Sequence, residues 1–482
     1  MADKANDPST PSLAHERLSA HWQMIRAILA GAKAVKAAGE KYLPKFPAES
    51  DPEYNRRKDS APWRPEFEDC IRSISSKPFA EETKLAGEPS DEMKAIAEDI
   101  DGRGNNLHVF ARDMFEGGVS LGAHGILVDF PTMNPNATRA EEKAAGARPY
   151  WVSVDADEII ALRTERRGAR EVVTHLRLRE TAIVVDGFEE KAVEKIRVIE
   201  PGMWQLWKQV KNAAGETTWE IEDTGILTLD EVPFVFYATA ERVGAQYVRP
   251  PLLDLATMQI ELYQALSTKE QAYTMLGAPM LSANGMAAPD DGSSVETGPR
   301  RILYAPSTED IAASWSILSA PAGSLKELRD DCAATAEDMR RLGMQPLLPK
   351  TGNVTATASG IEAAKAHSAV GTWANGLKDA LEQAFMFTAK WMKSTEAVEV
   401  SVHTDFSVGM WGVEEIKELR EARAAGDLSQ RTYWDELSRR GVLGPQFDPD
   451  TELAAILGEI PADDDPEDEM AALGQQDTGA QQ

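Results

Sequence analysis

The chain has 482 residues, 42% hydrophobic and 27% charged; that is enough apolar content to bury a sizeable core and enough length for more than one structural region, which excludes a disordered chain. Its 79 acidic and 51 basic residues leave a formal net charge of −28, which argues against tight wrapping of a nucleic-acid backbone, because phosphate binders cluster Lys and Arg. Two cysteines, Cys70 and Cys332, are too few for a disulfide framework, and a polar start with no run of about eighteen apolar residues speaks against secretion and against a membrane span.

Residues 13–38 are Ala-rich and carry a helical pattern, predicting one long helix. His15 and His21 lie on it six apart, where a zinc-binding helix needs a spacing of about four, so they face different ways. Residues 65–75 predict another helix, with Phe67, Ile71 and Ile74 at i, i+4 and i+7 and Pro65 in its first turn. Gly102-Arg103-Gly104 begins like a dinucleotide fingerprint, but the third glycine is missing and no strand precedes it, so it reads as a polar turn before a helix. That helix carries Leu107, Phe110, Ala111, Met114 and Phe115 and is expected to end at Gly117-Gly118.

Strands take over from about Ile126. Residues 172–178, 204–210 and 217–222 alternate, and Gly215 sits in the connection between the last two as in a hairpin. Asp155 and Glu158 read as the cap of a short helix through Leu162. Asp155 and Asp157 could also share a divalent cation in a nuclease site, but no further carboxylate or lysine completes one.

Pro250 and Pro251 then bar a helix until about Leu252, after which Leu252, Leu255, Gln259, Leu262, Leu266 and Tyr273 recur at helical spacing, a rod of roughly 37 Å at ~1.5 Å per residue. A turn-rich stretch follows, in which residues 301–304 and 314–318 predict short strands. Ser324 and Glu327 read as a capping box opening a second helix, seamed by Leu325, Leu328, Cys332, Thr335, Met339 and Leu342 and closed by Gly343. After a polar loop, Ser359 and Glu362 read as a second capping box for a helix reaching about Lys393, with Gly371 and Gly376 as sites for a bend. Two further helices are predicted at 413–425, ending at Gly426, and at 429–440. Arg431, Arg439 and Arg440 in the second give it the outline of a DNA-reading helix, but Asp435 and Glu436 stand beside them and Tyr433, Trp434 and Leu437 suit packing.

This succession resembles the stem, clip, stem, tunnel loop and kinked helix of tailed-bacteriophage portal proteins. The segments Gly125 to Pro131, Arg148-Pro149-Tyr150 leading into Asp157 to Ile160, Pro233-Phe234 and Pro250 to Ala256 are similar to a phage family described as portal-like and known by a conserved-domain label. The resemblance covers roughly residues 13–457. It implies an α+β fold with a mainly helical stem and crown, a mixed wing and a small clip, assembled as a ring. The wing would be 13–250, the stem helices 251–276 and 322–343, the clip 277–321, the tunnel loop 344–358, the long kinked helix 359–393 and the crown 394–460. Residues 1–12 and the acidic, Gly- and Gln-rich 461–482 are expected to be disordered.

The implied function is a channel at one capsid vertex for DNA packaging, ejection and head–tail joining. The implied partners are eleven more copies in a dodecamer, the terminase large subunit, head–tail adaptors, capsid and scaffold proteins, and double-stranded DNA passing without sequence specificity; no membrane is involved. Such a subunit is made in the host cytoplasm and ends in the virion. By resemblance, Lys350, Thr351, Gly352, Asn353 and Thr355 face the DNA channel, and Leu252, Leu255, Leu262, Leu266, Leu325, Leu328, Met339 and Leu342 pack the stem. No catalytic residue, metal or cofactor is expected: no Gly-rich loop ends in Lys and Ser or Thr to cradle ATP. The alternatives are another phage structural or adaptor protein, with the helix pairs as oligomer contacts, and then a packaging nuclease or ATPase.

Overall fold

A computed structural model describes residues 7–47, 49–131, 146–211, 217–277, 280–284, 302–305, 314–318, 322–344, 369–404, 413–439, 442–443 and 447–459. The chain divides into two compact units, 1–404 and 405–482.

The first unit opens with helices, and glycine sets the first break. The long helix predicted over 13–38 is two, α1 (Leu13–Leu29) and α2 (Ala32–Ala37). Gly31 between them has φ of +81°, a conformation costly for a residue with a Cβ. The capping box Ser50 and Glu53 opens α3 (Asp51–Ser60), a helix for which the local sequence carries the start signal. Next, α4 (Glu66–Ser75) buries Phe67, Ile71 and Ile74 as their spacing predicts, but Pro65 is its N-cap rather than part of its first turn. Residues 7–12, expected to be disordered, are held in place: Ser12 Oγ donates to Gln246 Oε1 at 2.8 Å, and Arg177 donates to the Pro8 carbonyl at 2.9 Å. Residues 1–6 and 461–482 lie outside the described residues.

Strand β1 (Lys84–Ala86) and α5 (Asp91–Glu98) lead to a turn with Gly102 and Gly104 both at positive φ, after which Asn106 caps α6 (Leu107–Leu121). The apolar face of α6 is buried as predicted, but the helix runs three residues past Gly118, to Leu121, and is capped by Gly122, φ +93°. Gly117 and Gly118 are there for contact. A Cβ on Gly117 would stand 2.4 Å from the His124 ring, and one on Gly118 2.5 Å from the Tyr237 ring.

A three-stranded antiparallel sheet, ordered β3 (Tyr150–Asp155), β2 (Ala123–Asp129), β9 (Phe234–Ala238), sits under α6. The predicted helix after Asp155 is absent. Asp155 and Glu158 do exchange backbone and side-chain hydrogen bonds, but these close a turn into β4 (Ile159–Arg167), because Ile159–Leu162 are needed as a buried strand. β4 is the edge of a five-stranded antiparallel sheet continued by β5 (Arg170–Asp186), β6 (Glu189–Glu200), β7 (Met203–Lys211) and β8 (Thr217–Gly225). The small hairpin of β10 (Arg242–Val243) and β11 (Tyr247–Val248) precedes the long helices.

Those helices are α7 (Leu253–Gly277) and α8 (Ala322–Met344). Between them β12 (Met280–Asn284) lies centrally in a three-stranded sheet, parallel to β13 (Ile302–Ala305) and antiparallel to β14 (Ser314–Leu318). The last two strands were predicted; β12 was not. α8 begins two residues ahead of Ser324, so that serine lies inside the first turn and is not a cap. Gly343 is likewise inside the helix, where a Cβ would meet Cys70 Sγ at 2.4 Å.

α9 (Ala369–Trp391) is the pin of the first unit. Trp151 meets Phe385 edge to face at 4.8 Å and donates through Nε1 to Thr388 Oγ1 at 2.9 Å, while Tyr237 Oη donates to the Trp373 carbonyl at 3.0 Å. The predicted start at Ser359 and Glu362 lies outside the described residues. β15 (Glu399–Ser401) returns to pair with β1, so the first unit closes at Thr404, beyond the boundary placed at 394.

In the second unit, α10 (Val413–Ala425) ends at Gly426, φ +85°, and Ser429 Oγ accepts from Thr432 N to cap α11 (Gln430–Arg439). Trp434 and Leu437 are buried, Trp434 lies edge to face with Phe447, and Arg431 pairs with Asp450 of α12 (Pro449–Glu459) at 3.5 Å. The face of α11 that carries Trp434 and Leu437 is therefore spent on packing.

Candidate functional site: the helical hairpin and its footing

α7 and α8 run antiparallel: the position a Cβ would take on Gly343, near the end of α8, is 3.7 Å from Leu255 at the start of α7. Of the residues predicted to pack this stem, Leu252, Leu255, Leu262, Leu266 and Met339 are buried, whereas Leu325, Leu328 and Leu342 are half-buried. Cys332 is buried as well, and burial pushes both its thiol and that of Cys70 up, which disfavours thiolate chemistry.

The seams of the two helices exceed what a hairpin alone can cover, and from sequence that excess points to neighbouring subunits. Much of it is met inside the chain instead. α1, α3 and α4 pack on the base of the hairpin, and polar side chains lock them there. Gln259 is fully buried; its Oε1 accepts from Phe67 N at 3.0 Å and its Nε2 donates to the Arg64 carbonyl at 2.7 Å. The Arg340 guanidinium grips the buried Glu66 carboxylate with contacts of 2.7 and 2.9 Å. Gln264 Nε2 donates to the Tyr42 carbonyl at 2.9 Å. The far end differs: Tyr273 on α7 is exposed, and Leu325 and Leu328 on α8 are incompletely covered.

The exposed face of α8 alternates sign, with Arg329 beside Asp330 at 3.3 Å and Arg341 beside Asp338 at 2.9 Å. That pattern suits water better than phosphate. The channel residues inferred by resemblance, Lys350, Thr351, Gly352, Asn353 and Thr355, all lie outside the described residues, as do residues 345–368 as a whole.

A second polar cluster went unseen in the sequence because its members are spread over three elements. Arg26 of α1 reaches both Asp155 and Asp157, with contacts of 2.5 and 2.7 Å, so the carboxylate pair that could have shared a cation is held by a guanidinium. Buried His124 shares a 2.7 Å hydrogen bond between Nε2 and Ser153 Oγ and approaches Asp155 Oδ1 through Nδ1 at 3.3 Å. The contact order is that of a hydrolase triad, but Nδ1 lacks an aligned hydrogen bond and the ring is capped by Gly117. Burial pushes the Asp155 carboxyl up, yet His124 and Arg26 outweigh it and hold it well below the usual carboxylate range. Among the described residues no group of three or more His, Cys, Asp or Glu is placed to hold a metal ion, and no helix is long and apolar enough to cross a membrane.

A family described as a domain of unknown function, DUF4055, matches residues 251–392, the span from the start of α7 to the end of α9. No curated protein matches the sequence. Among solved structures, the chain is similar to one in the virion of a native gene transfer agent particle, at 12% identity and TM-score 0.40 over 82% of this chain and 96% of that one. Chains from the neck of the native particle, computed with C12 symmetry, and of the empty particle, computed with C6 symmetry, match at 14% and 13% identity with TM-scores of 0.37 and 0.38. They cover 79% and 78% of this chain and 90% of each relative. These scores mark a distant likeness.

Proposed function

We propose that this chain is a portal subunit of a phage-like particle: one copy of a ring that surrounds an axial channel at a single capsid vertex, through which double-stranded DNA enters and leaves. The observation that carries the reading is the hairpin. Two antiparallel helices, α7 and α8, joined through a small three-stranded sheet, stand with one end locked into a helical footing and the other incompletely covered at Tyr273, Leu325 and Leu328. Apolar side chains left open at the far end of such a rod are suited to contact between subunits.

On this reading the work of the chain is geometric rather than catalytic. The sheet between the helices would serve as the clip facing a terminase large subunit or head–tail adaptors, with capsid and scaffold proteins bound elsewhere, and Lys350 and Asn353 would approach DNA phosphates from the loop after α8. The net charge of −28 fits a conduit wall that repels a polyanion and lets it slide. Negative-stain images of the purified protein test this: closed rings with an axial opening are expected, and a strictly monomeric species across a broad range of protein and salt concentration would overturn it. Nucleotide hydrolysis by the pure protein would instead favour a packaging enzyme.

A further inference from the structure

The five-stranded sheet has a projection that belongs to no core. β4 pairs with β5 only up to Leu178, and β7 pairs with β6 only from Lys195 onward. Between those limits β5 and β6 continue through six further paired positions, Thr181 opposite Glu194 to Asp186 opposite Glu189, with no neighbour on either side among the described residues. An isolated two-stranded ribbon is marginal in water and presents two open hydrogen-bonding edges. This one also has an apolar tip. Ile183 is 65% exposed, Val184 47%, Val185 63%, and Phe188 at the turn is fully exposed. None of residues 181–192 is buried.

The charges at the two ends of β5 are opposite and unspent. At the tip, Asp186 and Glu190 have no cationic partner among the described residues, whereas Glu189 has Lys191 at 3.1 Å. At the other end, the β4–β5 hairpin exposes Arg163 and Arg166, neither of which has a carboxylate partner there. The outer edge of β4 is exposed at Arg163 and from Glu165 to Arg167, although Ile159–Leu162 are buried. β5 spans 17 residues, and at ~3.3 Å each its ends are roughly 50 Å apart. The tip therefore cannot reach the arginine end of its own chain.

We infer that the ribbon of residues 181–194 docks onto the arginine-bearing β4–β5 hairpin of a second copy of this chain, with its apolar tip covered there and Asp186 and Glu190 facing Arg163 and Arg166. The contact is heterologous, head to tail, the kind that closes into a ring when the rotation between copies permits. It rests on the portal reading and assigns that ring a contact outside the helical hairpin.

The test uses the full chain and reads mass by native mass spectrometry, with thermal melting as the check on folding. Asp186→Arg with Glu190→Arg should leave melting unchanged, because neither side chain is buried, and should reduce the assembled fraction at least tenfold at a protein concentration where the wild type is mostly assembled. Adding Arg163→Glu and Arg166→Glu to the same chain should restore it. Shortening the ribbon by replacing residues 181–194 with a two-residue turn should abolish assembly whatever the charges. Normal assembly of the shortened chain overturns the inference and leaves the ring standing; a wild type that never assembles removes the portal reading itself. Failure of the fourfold variant to recover, with the ribbon still required, overturns the arginine pairing and points the tip at another surface of the second copy.

Discussion

Arg57 holds Glu49 in a two-pronged ion pair, Nε to Oε1 at 2.7 Å and Nη2 to Oε2 at 2.8 Å, with both side chains only 4% exposed. The same guanidinium donates to the Pro44 carbonyl at 2.8 Å, lies 4.2 Å above the Phe46 ring and touches Ser267 Oγ on α7. One side chain on α3 thus fastens the loop before it to the base of the helical hairpin.

Removing one partner of a buried pair leaves the other charged and unsolvated, so Arg57→Met should destabilise the first unit by about 3–5 kcal/mol. Arg57→Met combined with Glu49→Leu should cost clearly less than the two single changes together, since no lone charge remains. Urea unfolding of the three variants measures this; strictly additive losses would show that the two side chains act independently.

Gly118→Ala puts a methyl 2.5 Å from the buried Tyr237 ring, whose hydroxyl is tied to α9. A fully packed aromatic has little room to withdraw, and overpacking of this kind costs about 1–3 kcal/mol. Gly104→Ala offers the comparison: it meets nothing within 4 Å and pays only for its positive φ. The Tyr237 contact predicts the lower melting temperature for Gly118→Ala.

Periodicity was enough to read the middle of most elements. Leu107 to Phe115 and residues 172–178 bury the faces their spacing implies, because local pattern and core burial agree. The ends were less legible where distant groups decide them. Gly117 and Gly118 look like a helix stop in sequence and are contact sites in space, and Asp155 with Glu158 makes the hydrogen bonds of a cap around a turn between strands. The footing of the hairpin was the least legible part, since Glu66 and Arg340 are 274 residues apart and nothing local marks them as partners.

His15 and His175 give a pH signature. Burial, the largest cause for each, pushes both imidazoles below their ordinary value despite the raising influence of the Ile159 carbonyl on one and Glu200 on the other. The unfolded chain then binds protons that the folded chain refuses, so stability is full above about pH 6.5 and falls as pH drops from there through the lowered folded values. Glu158, raised chiefly by burial, works in the opposite sense around its own titration at lower pH. The melting temperature should decline between about pH 6.5 and 5, and His15→Gln with His175→Gln should flatten that decline. An equal slope in the double variant would assign the pH dependence to other groups.

Gln259 supplies the most specific test of the footing. Pro65, at the N-cap of α4, has no side-chain oxygen to satisfy the free N–H groups of the first turn, and Gln259 on α7 does so for Phe67 from 192 residues away while donating to the Arg64 carbonyl. Gln259→Leu fills the same space but leaves one buried donor and one buried acceptor unpaired, at about 1–3 kcal/mol each. Gln259→Glu keeps an acceptor for Phe67, loses the donor to Arg64 and buries a charge with no cation assigned to it. The glutamate variant should therefore be the less stable of the two near pH 8 and should gain on the leucine variant as pH falls toward 5, where a buried carboxyl takes up its proton. Denaturant midpoints of both variants at the two pH values decide the point: an identical ranking and gap at pH 8 and pH 5 would mean that residue 259 is not in the dry, doubly hydrogen-bonded position that ties α4 to the hairpin.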